Sequence, residues 1–269
     1  MMHDERHTFL KKVPVLLYHY VSPHGFNTVS PRLFEKHILC LKQAGYTGIT
    51  FRQILNGDSL PEKSVVITFD DGYDEVFYHA LPVLEKYGFR AVVFMLSGYI
   101  GKRNSWDLSL ESSKIRHLNR EELVELSHRG WEIAAHALSH RVLTGMKTDK
   151  ARYEIEKSGR ILEDLLHKPT YGFAYPFGRY NETIKTFVRE SGYRYACSTL
   201  KRHQLPATDY ELVRIPVYRT DGIRSIGKKL AYPEIPYGEY CKLKAISSFS
   251  RLTPLYQKMR ERWGDVERE

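Results

Sequence analysis

The chain has 269 residues, of which 42% are hydrophobic, 27% charged and 13% aromatic; this composition excludes disordered, collagen-like and coiled-coil classes and leaves ample apolar material for a core. Lys and Arg number 41 against 32 Asp and Glu, a formal net charge of +9 that favours anionic partners without choosing among them. No zinc finger, RNP-type aromatic motif or basic zipper occurs, so nucleic acid is not an expected partner.

The first unit is a strand over Val13–Tyr18, followed by a helix over Pro31–Ala44, a strand near Ile49 and an apolar strand over Val65–Phe69. A helical region spans Glu75–Tyr87, with Pro82 inside it to kink or split it. A strand over Ala91–Leu96 leads through a polar loop to a helix opened by Asn119 and Glu122 at capping-box spacing. Then come a strand at Trp131–Ala135, a helix at Lys150–Leu166, a strand at Tyr171–Tyr175, a helix capped by Asn181, and strands at Arg194–Ser198 and Leu212–Val217. Four helix ends carry Gly plus an aromatic residue just before a β-rich run: Gly45-Tyr46, Gly88-Phe89, Gly130-Trp131 and Gly192-Tyr193. Glycine accepts the left-handed conformation that stops a helix, so the pattern is a repeated helix-to-strand step. Repeated βα units build a parallel sheet, as a barrel or a doubly wound fold.

Cys40, Cys197 and Cys241 are too few and too scattered for a disulfide framework and read as free thiols. The first residues carry acids and histidines where a signal peptide has an apolar core, and no stretch approaches the ~18 apolar residues of a membrane span. The expectation is a cytoplasmic protein, peripheral to the inner membrane face.

The unusual polar residues fall at strand ends: His19 after Leu16-Leu17-Tyr18, Asp70-Asp71 after Val65–Phe69, and His136 after Ile133-Ala134-Ala135. In a parallel barrel these ends share the face on which active sites are built. His136 and His140 are four residues apart, a spacing that on one helical turn aims both imidazoles at one cation; alone, such a pair is more often a surface or cap feature. Adjacent carboxylates at the end of an apolar strand repel one another unless a cation or strong donors compensate, the bland alternative being a turn and cap. In Tyr175-Pro176-Phe177-Gly178, proline and glycine around an aromatic force a chain reversal that exposes an amide, read either as an ordinary turn or as an anion-stabilising N–H.

Taken together, Val13-Pro14-Val15-Leu16-Leu17-Tyr18-His19, Thr68-Phe69-Asp70-Asp71-Gly72, the His136/His140 pair and Tyr175-Pro176-Phe177-Gly178 resemble, in this order, the polysaccharide deacetylases, the NodB-homology or carbohydrate esterase family 4 enzymes. The resemblance covers residues 13–218. It implies an α/β fold, a distorted (β/α)7-type barrel in one domain, with residues 1–12 as a tail and 219–269 as a C-terminal extension. It also implies removal of N-acetyl groups from sugars with one divalent metal ion, zinc first, with Fe2+, Ni2+ or Co2+ also compatible with such ligands. By motif, Asp70 resembles the general base, Asp71, His136 and His140 the metal ligands, and the Phe177 N–H a donor to the tetrahedral oxyanion. Tyr175 and Pro176 would line the substrate.

Two departures from the family pattern stand out. The arginine usual two residues before the proline of the third motif is Ala174 here, and Arg214 is the candidate replacement as partner of Asp70, against the reading of a surface arginine. No histidine follows Leu212, the usual source of the general acid; His19, in the early Tyr-His motif of the branch acting on poly-N-acetylglucosamine, is the candidate acid, against a structural role. Trp106 and Asp107, in the loop after the fourth strand, would supply a wall and hydrogen bonds for a sugar ring, or Trp106 would simply cover the core.

From Arg219 onward, 11 Lys or Arg and 7 Asp or Glu are interleaved with aromatics. Two readings are open: docking on an anionic membrane or lipid-linked glycan, or packing on the barrel. The expected partner is an N-acetylhexosamine-containing glycan or lipid-linked sugar. A non-catalytic glycan-binding domain, or another single-metal amidohydrolase or deformylase acting on a lipid-linked sugar, are the alternatives.

Overall fold

Among the described residues, apolar runs rich in β-branched and aromatic residues form eight strands: β1 (Val15–Tyr18), β2 (Thr47–Ile49), β3 (Ser64–Phe69), β4 (Val92–Met95), β5 (Glu132–Ala135), β6 (Gly172–Ala174), β7 (Tyr195–Thr199) and β8 (Leu212–Pro216). The computed structural model describes residues 3–23, 28–106, 115–200, 206 and 208–248. All strand pairings are parallel. The order β1-β8-β7-β6-β5-β4-β3 closes through β1–β3 into a seven-stranded barrel, while β2 pairs only with the start of β3. This is the (β/α)7-type barrel that the motifs imply.

The helices are α1 (His3–Lys12), α2 (Pro31–Gln43), α3 (Phe51–Asn56), α4 (Leu81–Tyr87), α5 (Arg120–His128), α6 (Thr148–Leu166), α7 (Glu182–Glu190), α8 (Ile223–Leu230) and α9 (Tyr237–Ser248). The starts of α5 and α7 carry the capping chemistry read from the sequence, and α2 has a serine cap besides. The Ser30 hydroxyl accepts from the Leu33 amide with Pro31 opening α2, Asn119 and Glu122 form a reciprocal capping box on α5, and Asn181 accepts from Ile184 on α7. Pro82 divides its helical region as expected: a π-helical turn at Val76–Ala80 precedes α4, in whose first turn the proline sits.

Successive residues of a strand face opposite ways, and that alternation builds two apolar layers. Val15, Val66, Val92, Phe94, Ala134, Ala174, Tyr195, Cys197 and Leu212 fill the barrel. Their neighbours Leu16, Tyr18, Ile67, Phe69, Val93, Ile133, Phe173 and Tyr175 face outward against helix residues such as Phe34, Ile38, Leu123, Ile155 and Phe187. At the barrel floor, the buried Glu132 carboxylate accepts the Arg52 N–H at 2.7 Å and the Tyr195 hydroxyl at 3.0 Å.

Two segments differ from the sequence reading, and a third takes one of the two readings left open for it. Residues 3–12, set apart as a tail, form α1, whose Leu10 is buried in the barrel-side apolar cluster and whose Lys11 carbonyl accepts from the Tyr232 hydroxyl. Helix α3 was not foreseen, although Thr50 and Gln53 make a reciprocal capping box; at 6 residues it is too short for helical periodicity to show. The described part of the C-terminal extension packs on the barrel: Tyr232, Ile235 and Leu243 cluster with Ile215 of β8. Buried Lys229 lies 2.9 Å from Glu239 and 3.4 Å from Asp221, and Lys242 also pairs with Asp221. The Asp221 carbonyl accepts from His37 on α2 at 2.7 Å, and the other His37 nitrogen accepts from the Tyr18 hydroxyl at 3.1 Å. Residues 249–269, with the remaining aromatics of the extension, lie outside the described residues. Among the described residues no helix is long and apolar enough to cross a membrane.

Candidate active site

The alternation that fills the barrel also aims the polar residues. Arg214 is an inward position of β8, and Asp70 and His136 continue the inward series of β3 and β5 just past the strand ends. Arg214 is almost fully buried, its guanidinium lies 4.8 Å from the centre of the Phe94 ring, and its two terminal nitrogens donate to the two Asp70 carboxylate oxygens at 2.5 and 2.7 Å. A planar fork meeting a carboxylate in this way fixes orientation as well as charge. The candidate replacement for the motif arginine therefore reaches Asp70 and is not on the surface. Burial pushes the Asp70 carboxyl upward, and Arg214, His136 and His19 outweigh it, holding the group below its ordinary value.

Asp71 leaves β3 in the left-handed region (φ 67°), turning its carboxylate towards the loop after β5. Its Oδ1 is 3.6 Å from His136 Nε2 and 3.4 Å from His140 Nε2, and one ligand atom from each of the three residues lies within 4.8 Å of the others. The segment His136–His140 is not the helical turn that the four-residue spacing suggested. It is a loop with Ala137 and His140 at φ 64° and 54°, and the loop folds both rings onto Asp71.

This trio suits a divalent metal by its donor chemistry. His136 Nδ1–H donates to the Ala174 carbonyl at 2.8 Å, which leaves the Nε2 lone pair facing Asp71. Burial, ahead of the opposing pull of Asp70, lowers His136 to about 4, and burial likewise takes His140 well below its ordinary value, so both imidazoles are neutral at pH 7, the form that a metal would require. Two imidazoles and one carboxylate leave coordination positions for water and substrate.

Other predicted residues surround this group. His19 is half-buried at the end of β1, near enough for its charge to act on Asp70, His136 and His140. Trp106 stands 3.9 Å from His140, ring centre to ring centre, while packing with Tyr73 and Leu96, so it both walls that imidazole and covers the core. Asp107 lies outside the described residues. Phe177 is left-handed (φ 57°), with its ring 4.5 Å from that of His140, and Pro176 is buried beside it.

Tyr175 requires a correction as a substrate-lining side chain. It follows inward-facing Ala174 and therefore points outward, where its ring stacks on Tyr180 at 4.8 Å and its hydroxyl donates to the Tyr210 carbonyl at 3.0 Å.

Two buried groups that support the site were not singled out from sequence. Glu154 of α6 holds the loop before His140, and His117 donates to the Asp71 carbonyl. Glu154 had a readable signal, an acid on the buried stripe Ala151, Ile155, Ser158, Leu162 of an amphipathic helix. His117 had none, because its partner is a backbone carbonyl 46 residues away.

A seven-stranded parallel barrel with a carboxylate–arginine pair beside an Asp-His-His trio defines a class of hydrolase-like barrel sites, and comparison with known proteins specifies it. The family model described as polysaccharide deacetylase matches residues 57–196. YxkH of Bacillus subtilis, which bears a polysaccharide-deacetylase name, is 33% identical over 192 residues, covering 70% of this chain and 64% of its own. The poly-beta-1,6-N-acetyl-D-glucosamine N-deacetylase of Staphylococcus aureus is 28% identical over 203 residues, covering 70% of this chain and 67% of its own. Among solved structures, IcaB from Ammonifex degensii superposes with a TM-score of 0.70 at 23% identity, covering 83% of this chain and 97% of that one. The deacetylase PplD of Streptococcus pyogenes gives 0.69 at 24%, covering 81% and 98%; these two show the shared fold. The chain belongs to the polysaccharide deacetylase family.

Proposed function

We propose that the protein hydrolyses the N-acetyl group of an N-acetylated sugar within a glycan, releasing acetate and a free amino sugar, with one divalent metal ion held by Asp71, His136 and His140. The observation that carries this reading is the ligand trio lying directly beside the Asp70–Arg214 pair. When bound, the metal supplies Lewis acidity that polarises the acetyl carbonyl and lowers the pKa of water.

The chain's own residues divide the proton transfers. Asp70, kept ionised and oriented by Arg214, accepts the proton of the attacking water. The water oxygen bonds to the carbonyl carbon, and the Phe177 N–H donates to the oxyanion that develops. The C–N bond then breaks as His19, in its imidazolium form, gives a proton to the nitrogen; an amide anion is too poor a leaving group to depart alone. Trp106 walls the His140 side and excludes water there.

The name of the Staphylococcus aureus relative favours a β-linked N-acetylglucosamine polymer as substrate class. A binding-only barrel does not account for an ionised carboxylate gripped by arginine next to a complete ligand set. Acetate release from chitooligosaccharides, poly-N-acetylglucosamine fragments and lipid-linked N-acetylhexosamine, comparing metal-loaded wild type with Asp70→Asn, tests the proposal. Release by the wild type alone supports it; no release from any of the substrates, with metal shown to be bound, rejects it.

A further inference from the structure

Both outer ligands of the trio sit on backbone that side chains rarely adopt. Asp71 has φ 67° and is followed by Gly72 at φ 69°, and His140 has φ 54° with Ala137 at 64° three residues before it. A left-handed residue other than glycine is strained and persists only where its surroundings hold it. Two buried side chains make the holding contacts, one on each ligand segment.

The first is His117. It is fully buried, its ring packs between Tyr73 (4.8 Å) and Tyr99 (5.1 Å), and its Nδ1–H donates to the Asp71 carbonyl at 2.8 Å. Its strand-like segment runs antiparallel to the Asp-Asp-Gly turn: Leu118 N–H donates to the Gly72 carbonyl at 2.8 Å and Asp74 N–H to the Arg116 carbonyl at 2.9 Å. The loop after β4 thereby holds the turn that carries Asp71.

The second is Glu154. Its Oε2 accepts the N–H groups of Leu138 and Ser139, both at 3.0 Å, and its Oε1 accepts the Ser139 hydroxyl at 2.5 Å. Three bonds to two consecutive residues leave the chain between Ala137 and His140 one geometry. Gly98 N–H also donates to the Leu138 carbonyl, at 3.2 Å, so close that a Cβ on Gly98 would stand 2.5 Å from that oxygen.

We infer that His117 and Glu154 are positioning residues for the metal: His117 sets the Asp71 carboxylate and Glu154 sets the His140 imidazole, from outside the ligand set. The inference rests on the ligand assignment proposed above. Partners of this kind around a metal typically change affinity by 10–100-fold when removed.

The test reads metal affinity rather than turnover. Zn2+ is partitioned between the full-length protein and a chromophoric chelator, and the Co2+-substituted protein is followed by its visible absorption, with circular dichroism confirming the fold of each variant. His117→Phe and Glu154→Ala are each expected to weaken Zn2+ binding by about 10–100-fold and to alter the Co2+ spectrum. His117→Asn, which keeps an N–H donor for the Asp71 carbonyl, and Glu154→Gln, which keeps one acceptor, are expected to recover part of the loss and to fold if the harsher variants do not. Wild-type affinity and spectrum in folded His117→Phe and Glu154→Ala would overturn the inference, as would conservative variants no better than the harsh ones. A wild type that binds neither ion would instead reject the ligand assignment itself.

Discussion

Arg214 grips both carboxylate oxygens of Asp70 across the barrel mouth, from a strand separated from Asp70's own by β1. Both partners are buried, so removing one leaves an uncompensated charge in the interior. Arg214→Met is expected to destabilise the protein by about 3–5 kcal/mol and to abolish turnover, whereas the double variant Arg214→Met/Asp70→Asn regains much of the stability and none of the activity. Chemical denaturation of the four proteins of this cycle measures the coupling; additive losses would show that the pair is not an energetic unit.

If His19 protonates the departing amine, its importance depends on the leaving group. His19→Ala is expected to lower acetate release from an N-acetylated sugar by about 10²–10⁴-fold. An aryl acetate expels a phenolate that needs no proton, so its hydrolysis should fall far less. Equal losses on both substrates would assign His19 a structural role.

His37 links the outer face of β1 to the C-terminal extension through Tyr18 and Asp221. Burial, opposed by Asp221 and reinforced by Lys229, holds its pKa below the ordinary 6.5. The folded state therefore binds this proton less readily than the unfolded state does. Its contribution is fully present above the unfolded value and is lost as pH falls from 6.5 towards the lowered folded value. Thermal melting from pH 8 to pH 5 should show a steeper acid loss for the wild type than for His37→Gln, whose amide keeps one donor and one acceptor. Parallel curves would remove His37 as a source of that slope.

Much of the barrel was legible because its signals are local. The Gly-aromatic pairs mark helix ends, Asn119 and Asn181 cap the helices that follow them, and Pro82 divides the helical region it interrupts. Asp70, Asp71, His136 and His140 were legible because motif order placed them at strand ends. The geometry between His136 and His140 was not, since a four-residue spacing fits a helical turn as well as a loop, and Glu154 decides for the loop from another element. Tyr175 was misread as substrate-lining through neglect of parity: next to inward Ala174, a strand residue must face outward. His117 acts on a backbone carbonyl and so left no sequence pattern, while α3, at 6 residues, offered only the Thr50/Gln53 capping box and too few turns for helical periodicity to show.

The central claim is that Asp71, His136 and His140 hold the metal on which deacetylation depends. The most direct measurement removes metal with a chelator, then adds Zn2+ in sub-equivalent steps while following acetate release from β-1,6-linked N-acetylglucosamine oligomers, for the wild type and for His136→Ala. The account predicts that release is lost on chelation, returns linearly and saturates at about one equivalent in the wild type, and stays absent in His136→Ala over the same range. Release that survives chelation, or that persists in His136→Ala, would contradict it.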